Sequence, residues 1–539
     1  MSPVLDAAWE GLLLVFAWPN ILYPLAGTLL AMVFSLLPGV SGVTLMALVI
    51  PLTLHWEPIP VLLLFGALVG GATFMGSATA ILLNIPGTAP NAATMFDGYP
   101  MARAGHARTA LGCSAAASAL GSTFGVLVLV ILLPLMTVLV PLLGPPEYLM
   151  LAVWGLAAIA TVIRASVGKG LVMAGLGLLI SFIGFDPRTA ELRYTFGSLY
   201  LQDGLHLVPV FLGIFAVAEV IDLIVSGRTT ISGATRLDQL GGSAMEGVRA
   251  VFRHFGLFIR SSLIGTTVGA IPGLGGTAAA FVAYGEAARS AGPDARFGTG
   301  DIRGVLAPEA ANDAKDGGSL IPTLAFGIPG SAGTAMLLGV LALHGIRPGE
   351  RLVSTDLSLA FVLIWSLFLS NWISSIVGLS SANTLSRITV VRTARLAPLI
   401  LILSVVGAFA YRARFADVWV AFGFGLLGYA MKKYGWPRVA FIIALVLGSL
   451  FELNLHLTMR LQELGRIQLW ARPGFLLLAA LLVLTLWAPG VRVARELIGS
   501  ATRGGKISPD HSEREADEAE VAGGDWAGAP NGDDSRGER

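Results

Sequence analysis

Charge is what this sequence has least of. Only 13% of its 539 residues are Asp, Glu, Lys or Arg, against about a quarter in an ordinary soluble domain. The 35 basic and 34 acidic residues nearly cancel, at +1, so nothing in the balance attracts nucleic acid or another acidic polymer. There is one cysteine, Cys113, which excludes a disulfide framework and a cysteine-rich metal site. It lies in the small-residue run 110–119 and reads as packing. No Walker A sequence and no HExxH are present, and no two of the seven histidines sit at ligand spacing. ATP-driven transport by this chain alone is therefore not expected. Gly273-Leu274-Gly275-Gly276-Thr277-Ala278 formally fits G-x-G-x-x-A. It follows an apolar helix rather than a strand, so the nucleotide reading is set aside. The N-terminus has Asp6 and Glu10 where a signal peptide would carry Lys or Arg, so the first apolar segment is expected to remain as an anchor.

What is present is apolar residue: 55% of the chain is hydrophobic, with a mean hydropathy of +0.76. This is the composition of an all-α polytopic membrane protein, with about ten to twelve crossings plus re-entrant pieces expected. Basic clusters at 103–108, 387–395 and 432–438 would mark short cytoplasmic loops. The expected division is a first membrane repeat at 1–225, a polar linker at 226–254, and a second repeat with C-terminal helices at 255–500. A tail follows at 501–539 whose ten acidic and five basic residues predict disorder.

The stretch from Pro58 to Phe96 carries no formal charge over 39 residues. As one helix it would be roughly 58 Å long, and a hydrocarbon core of about 30 Å cannot hold that. The chain must turn or unwind near Asn84-Ile85-Pro86-Gly87. Irregular backbone at membrane depth is tolerated only where it lines a cavity or is buried in protein, which makes this stretch a candidate site.

Two such features occur twice. Leu37-Pro38-Gly39-Val40-Ser41-Gly42 is echoed by Ile271-Pro272-Gly273-Leu274-Gly275-Gly276, and Asn84-Ile85-Pro86-Gly87-Thr88-Ala89 by Gly327-Ile328-Pro329-Gly330-Ser331-Ala332. The offsets, 234 and 243 residues, suit one unit duplicated across the polar linker. A single Pro-Gly pair reads most simply as a turn or kink. Two motifs repeated in order, in matching halves, point instead to a transporter's substrate site. An odd number of crossings between the copies would make the repeats inverted, which is the expected arrangement.

A helix broken this way presents N–H groups and a positive dipole end to an anion. The candidate binding groups are Ser41, Thr44, Ser77, Thr79, Asn84, Thr88, Asn91, Thr277, Ser331 and Thr334, with the shaping residues Pro38, Gly39, Pro86, Gly87, Pro272, Gly273, Gly275, Pro329 and Gly330. No Arg or Lys lies at 58–96 or 317–346, so an uncharged pocket is expected. Small hydroxyl residues also serve close helix packing, and each alone admits that reading. Glu309 and Asp313, four apart on one helix face, could form with Asn312 an oxygen site for Na⁺ or a proton relay. Equally, this segment could be a solvated loop helix, with Lys315 and Asp316 balancing charge. Glu219 in the apolar run 211–224 is a functional candidate, or a surface carboxylate paired with Asp222 or a linker Arg.

Leu37-Pro38-Gly39, Leu82-Leu83-Asn84-Ile85-Pro86-Gly87 and Gly327-Ile328-Pro329-Gly330-Ser331, with Asp97-Gly98-Tyr99-Pro100-Met101-Ala102-Arg103, Ala307-Pro308-Glu309-Ala310-Ala311-Asn312 and Phe415-Ala416-Asp417-Val418-Trp419-Val420, resemble the large membrane subunit of the tripartite tricarboxylate transporters over roughly 20–460. The sequence departs from that family at Asp313, where it often has Asn, and at Thr88, where it often has an acidic residue. The resemblance implies a bacterial inner-membrane uptake system driven by a Na⁺ or proton gradient, with no other cofactor. It also implies a small membrane subunit and a periplasmic solute-binding protein that delivers citrate or a similar carboxylate. A membrane scaffold or lipid-linked enzyme is the rival class. It requires a nucleophile-and-base constellation that the sequence does not display. A passive channel, a third class, would need no binding protein.

Overall fold

The computed structural model describes residues 3–36, 41–162, 167–186, 189, 191–226, 241–292, 295–381 and 397–502. Of the tail expected to be disordered at 501–539, Ala501 and Thr502 end a helix; the rest of it, and Pro38 and Gly39, lie outside the described residues. Within them the chain is helical nearly throughout, with one two-stranded ribbon, Gly184–Phe185 against Leu192–Arg193. Five helical stretches are long and apolar enough to cross a membrane, and seven further apolar helices have 10–17 residues. The fold is that of an all-α polytopic membrane protein. Many large apolar side chains on the outside, Leu29, Ile131, Val138 and Leu484 among them, are exposed, as a lipid-facing surface requires.

Both halves of the sequence lie in one compact unit, Met1–Leu486. The segment from Trp487 is described only to the end of the helix Pro473–Thr502. Within the compact unit the halves interlock. Helix Arg303–Phe326 of the second half packs against Ala107–Leu139 of the first, and Leu357–Ser380 of the second packs against Pro58–Gly71 of the first. Phe255–Ala270 lies on Arg303–Phe326, as Leu22–Ser35 lies on Pro58–Gly71. Each exchange therefore has a counterpart in the other half.

The crossings are close because small residues sit at them. A Cβ placed on Gly121 would lie 2.6 Å from the Ala310 carbonyl oxygen, and one on Gly66 would lie 2.9 Å from that of Leu363. In lipid, where no apolar driving force separates helix from solvent, such backbone contact and interhelical hydrogen bonds hold helices together. Ser370 Oγ donates to the Ala67 carbonyl at 2.8 Å, and Ser366 Oγ donates to that of Leu63.

The region expected as a polar linker is partly helix. Ala244–Arg253 packs against Ala107–Leu139 through buried Gly247, Ala250 and Val251. Those positions are spaced i, i+3, i+4, the apolar stripe of a docked helix.

Candidate functional site

The uncharged stretch breaks where the length argument requires. Pro58–Gly71 is interrupted at Ala72 and resumes as Thr73–Leu83, and Asn84 then caps that helix in the left-handed conformation at φ 57°. The second-half copy does the same: Arg303–Phe326 ends on Gly327 at φ 70°. After each Ile-Pro-Gly the next residue is extended, Thr88 at φ −133° and Ser331 at φ −152°, and a helical turn starts behind it. In both copies the side chain three residues on reaches back to that residue's N–H. Asn91 Oδ1 accepts from Thr88 N at 3.1 Å, and Thr334 Oγ1 accepts from Ser331 N at 2.9 Å. These are N-cap arrangements, and they fix where the new helix begins. Ser41 plays the cap role for Gly42–Thr53, accepting from Thr44 N at 3.2 Å.

The turns converge on a cavity of about 590 Å³. Ser41, Gly42 and Val43 line it, as do Gly275, Gly276 and Thr277, and Ser331, Ala332 and Gly333. The first turns of three helices thus open into one space: Gly42–Thr53, Gly275–Ser290 and Ala332–Leu343. Thr88, Pro90 and Gly273 complete the polar rim, and Met46, Leu68 and Val69 give an apolar wall. Gly273 N donates to the Gly330 carbonyl at 3.1 Å, which joins the two second-half turns behind the cavity.

The pocket is not free of charge. Lys315 and Asp316, an ion pair, line it beside Asn312. Asn312 is 2% exposed and its Nδ2 has no hydrogen-bond partner. A buried amide donor left open in a cavity wall is costly unless something in the cavity accepts from it. The segment 307–316 is therefore not a solvated loop helix. It is the middle of a buried 24-residue helix, with only Lys315 partly exposed.

Glu309, on the same helix, does not reach the cavity. It is 1% exposed and accepts only hydroxyl donors from the first half. Ser77 Oγ is 2.8 and 2.7 Å from its two oxygens, Ser114 Oγ 2.9 Å and Ser118 Oγ 3.1 Å from Oε2, and Thr94 Oγ1 donates to Oε1. A carboxylate offers about four lone-pair sites, and four hydroxyls fill them. Asn91 Nδ2 in turn donates to Ser77 Oγ at 2.7 Å, and Asn91 Oδ1 accepts from the Thr88 hydroxyl. A continuous polar chain thus runs from the cavity rim at Thr88 to Glu309.

Of the sequence candidates, Ser41, Thr88, Gly273, Gly275, Thr277, Ser331 and Asn312 line the cavity. Ser77, Asn91, Thr44 and Thr334 stand one layer behind it as caps and links. Thr79 is buried and bonds back to Gly76 O at 2.9 Å. Asn84, Pro86 and Gly87 shape the first-half turn, where Gly87 N donates to Gly76 O at 3.2 Å, while Pro272, Pro329 and Gly330 shape the second-half turns. Glu309, Asn312 and Asp313 do not form one oxygen site: the first faces the hydroxyl cage and the second the cavity. Glu219 is paired with Lys432 at 2.7 Å and lies 4.0 Å from Arg438, so its charge is matched structurally. Thr94 belongs with Thr88 and Asn91 to the polar cluster of the uncharged stretch, whereas Ser114 and Ser118 were missed, although Ser114, Ser118 and Ser122 recur every four residues, one polar stripe on a helix.

One more carboxylate organises the region. Asp97 is fully buried, and its Oδ1 accepts from the N–H groups of Gly298, Gly300 and Asp301 at 2.8–2.9 Å, while Tyr284 Oη donates to Oδ2 at 2.9 Å. The first-half motif Asp97-Gly98-Tyr99-Pro100 thereby holds the loop that leads into the helix of Glu309.

An all-α polytopic chain with paired broken helices around a polar cavity has the build of a solute carrier. The sequence comparisons specify the family. Residues 21–443 match the model of the tripartite tricarboxylate transporter TctA family, and the chain belongs to that family. It is 31% identical over 441 residues to an Agrobacterium vitis protein described as an uncharacterized 52.8 kDa protein in the TAR-I ttuC' 3' region, covering 82% of this chain and 87% of that one. A second Agrobacterium vitis protein, described as uncharacterized in the TAR-II ttuC' 3' region, is 30% identical over 195 residues, covering 36% of this chain and 81% of that one. No solved structure matches the chain.

Proposed function

We propose that this chain is the large transmembrane subunit of a binding-protein-dependent secondary transporter. It would import a di- or tricarboxylate-type anion across the bacterial inner membrane on a Na⁺ or proton gradient. A small membrane subunit and a periplasmic solute-binding protein would complete it. The observation that carries the reading is the convergence of three helix N-termini on one cavity that also holds Lys315 and the open amide of Asn312. Each of these favours an anion: amides and dipole ends at the helix starts, one ammonium, and one amide donor.

The Lys315–Asp316 pair refines the chemistry. A fixed lone ammonium would hold a carboxylate tightly, whereas an ammonium already paired with Asp316 gives it up more readily. Substrate binding becomes an exchange of partners on Lys315, which suits a site that must release. The matched turns in the two halves support a duplicated unit, inverted in the membrane, with alternating access around the cavity.

The test is uptake of labelled citrate and other carboxylates into proteoliposomes holding the chain and its small partner, with the binding protein outside and an imposed ion gradient. Gradient-dependent accumulation in the wild type, lost in Lys315→Met, is the expected result. An intact complex that accumulates no carboxylate under either gradient refutes the carrier reading.

A further inference from the structure

A second cavity, of about 200 Å³, shares no lining residue with the first. Three helices wall it: the start of Phe255–Ala270, the end of Gly275–Ser290 and the start of Arg303–Phe326. His254, Arg260, Ser290 and Arg303 give it a polar lining, and among the described residues no carboxylate lines it. The acidic partners take the guanidiniums from outside the lining. Glu286 Oε1 lies 3.0 Å from Arg260 Nη1, and Asp301 accepts from Nε and Nη2 of Arg303 at 2.9 and 2.6 Å. Arg260 Nη2 reaches Ser290 Oγ at a long 3.4 Å. Arg260 Nε and Arg303 Nη1 take part in none of these bonds, so each guanidinium keeps donors in hand.

The cavity lies at the arginine-rich end of the molecule. Asp97 holds the amides of Gly298, Gly300 and Asp301, which brings the basic segment 103–108 to the loop before Arg303. Arg103, Arg253 and Arg289 are exposed around it. Short loops this rich in arginine stay on the cytoplasmic side, where the leaflet is anionic and basic pockets between helices recognise lipid head groups. Arg260 itself stands in the second turn of an otherwise apolar helix and is 53% exposed along its side chain. A cation there is costly unless its stem runs along lipid and its head meets a polar group. Below the cavity the two walls turn apolar. Leu263 follows Arg260 by three positions, on the same helix face, and Val282 precedes Ser290 by two turns on the helix packed against it. Both are exposed.

We propose that His254, Arg260, Ser290 and Arg303 hold the phosphate of an anionic phospholipid, with its acyl chains along Leu263 and Val282. The planar guanidinium forks match phosphate oxygens, and Ser290 adds a hydroxyl. Because both arginines keep their acidic partners, the phosphate joins two ion pairs without breaking either. A soluble carboxylate gains nothing from Leu263 and Val282, whereas a lipid uses the cations and the apolar walls together. The hairpin that holds the head group at one end lines the substrate cavity at the other, through Gly273, Gly275 and Thr277. The lipid site does not depend on the carrier reading.

The test is binding of a fluorescent phosphatidylglycerol to the purified full chain in non-ionic detergent. Unlabelled phosphatidylglycerol, phosphatidylcholine, glycerol 3-phosphate and citrate serve as competitors. Saturable binding displaced by phosphatidylglycerol, and by none of the other three at the same concentration, is expected. Arg260→Gln should weaken it by about tenfold, as loss of one charge-assisted bond does. Lys433→Gln, which removes an exposed cation from another helix, should leave it unchanged. If Arg260→Gln fails to fold, Ser290→Ala replaces an exposed hydroxyl and should weaken binding as well. No saturable binding, equal displacement by phosphatidylcholine, or wild-type affinity in the folded variants overturns the site. Displacement by glycerol 3-phosphate or citrate as effective as by the lipid would show a pocket for a soluble anion and overturn the lipid assignment.

Discussion

Ser114→Ala tests whether the hydroxyl cage carries the Glu309 charge. The substitution deletes one donor, 2.9 Å from Glu309 Oε2, and leaves Ser77, Ser118 and Thr94 in place. A hydrogen bond to a charged acceptor contributes about 1.5–3 kcal/mol, and Ser114→Ala should cost an amount in that range. In a Glu309→Gln background the same hydroxyl meets a neutral group, where the bond is worth about 0.5–1.5 kcal/mol. The double-mutant cycle should therefore return a coupling energy of roughly 1–1.5 kcal/mol between Ser114 and Glu309. Denaturant titration of the purified chain in mixed micelles, read by tryptophan fluorescence, supplies the four stabilities if the slopes agree. Additivity within about 0.3 kcal/mol would mean that the serine and the carboxylate do not interact, and the cage would reduce to small residues packing two helices.

Two further outcomes follow from the same contacts. Gly121→Val places a side chain where even a Cβ would lie 2.6 Å from the Ala310 carbonyl. It should destabilise by about 1–3 kcal/mol, and it should also abolish the Ser114–Glu309 coupling, because it separates the two helices that carry them. Asp97→Ala removes the acceptor of three loop amides and the Tyr284 hydroxyl. Hydrogen exchange at Gly298, Gly300 and Asp301 should accelerate by at least about tenfold, the equivalent of one lost charge-assisted bond; unchanged exchange there would show that the loop is held by other contacts.

Where local geometry decides the structure, the sequence was readable. An uncharged run too long for one crossing had to break at Asn84-Ile85-Pro86-Gly87. The second copy, ending on Gly327, repeats the left-handed cap with the residue best suited to it. Membrane class and helical content followed from composition. The partners of Glu309 were not readable, because they depend on how closely Ala107–Leu139 approaches Arg303–Phe326, which the small residues at that crossing set. Ser114 and Ser118 sat in a run that reads equally well as packing. Lys315 and Asp316 looked like the end of a soluble helix, since four charged residues in the ten positions 307–316 usually mean solvent. Burial overrides that only through long-range contacts that no local pattern encodes. The helix Ala244–Arg253 was obscured in a similar way: its arginines suggested a linker, although Gly247, Ala250 and Val251 already formed a stripe.

Helix Arg303–Phe326 makes three polar contacts from one side, with Glu309, Asn312, Asp313 and Asp316 at i, i+3, i+4 and i+7, and its rigidity makes them one device. Glu309 points to the hydroxyl cage, Asn312 with Lys315 and Asp316 to the cavity, and Asp313 to Asn371. These positions lie within two helical turns, about 11 Å of axis, so a rotation that moves one contact moves the others. On the proposed reading an anion at Lys315 acts on this rigid element. The anion contributes a preference for one orientation of that helix. The cage at Glu309 would then act as the counterweight. Four hydroxyl bonds hold the helix against the first half, and any reorientation must either carry Ser77, Thr94, Ser114 and Ser118 along or surrender bonds of about 1.5–3 kcal/mol each. Because the cost of surrendering all four exceeds the typical coupling of about 1–3 kcal/mol between two ligand sites, the cage and the helix must move together. The mobile body of the carrier would then comprise Thr73–Leu83, Ala92–Met101, Ala107–Leu139 and Arg303–Phe326, turning against the helices that flank them.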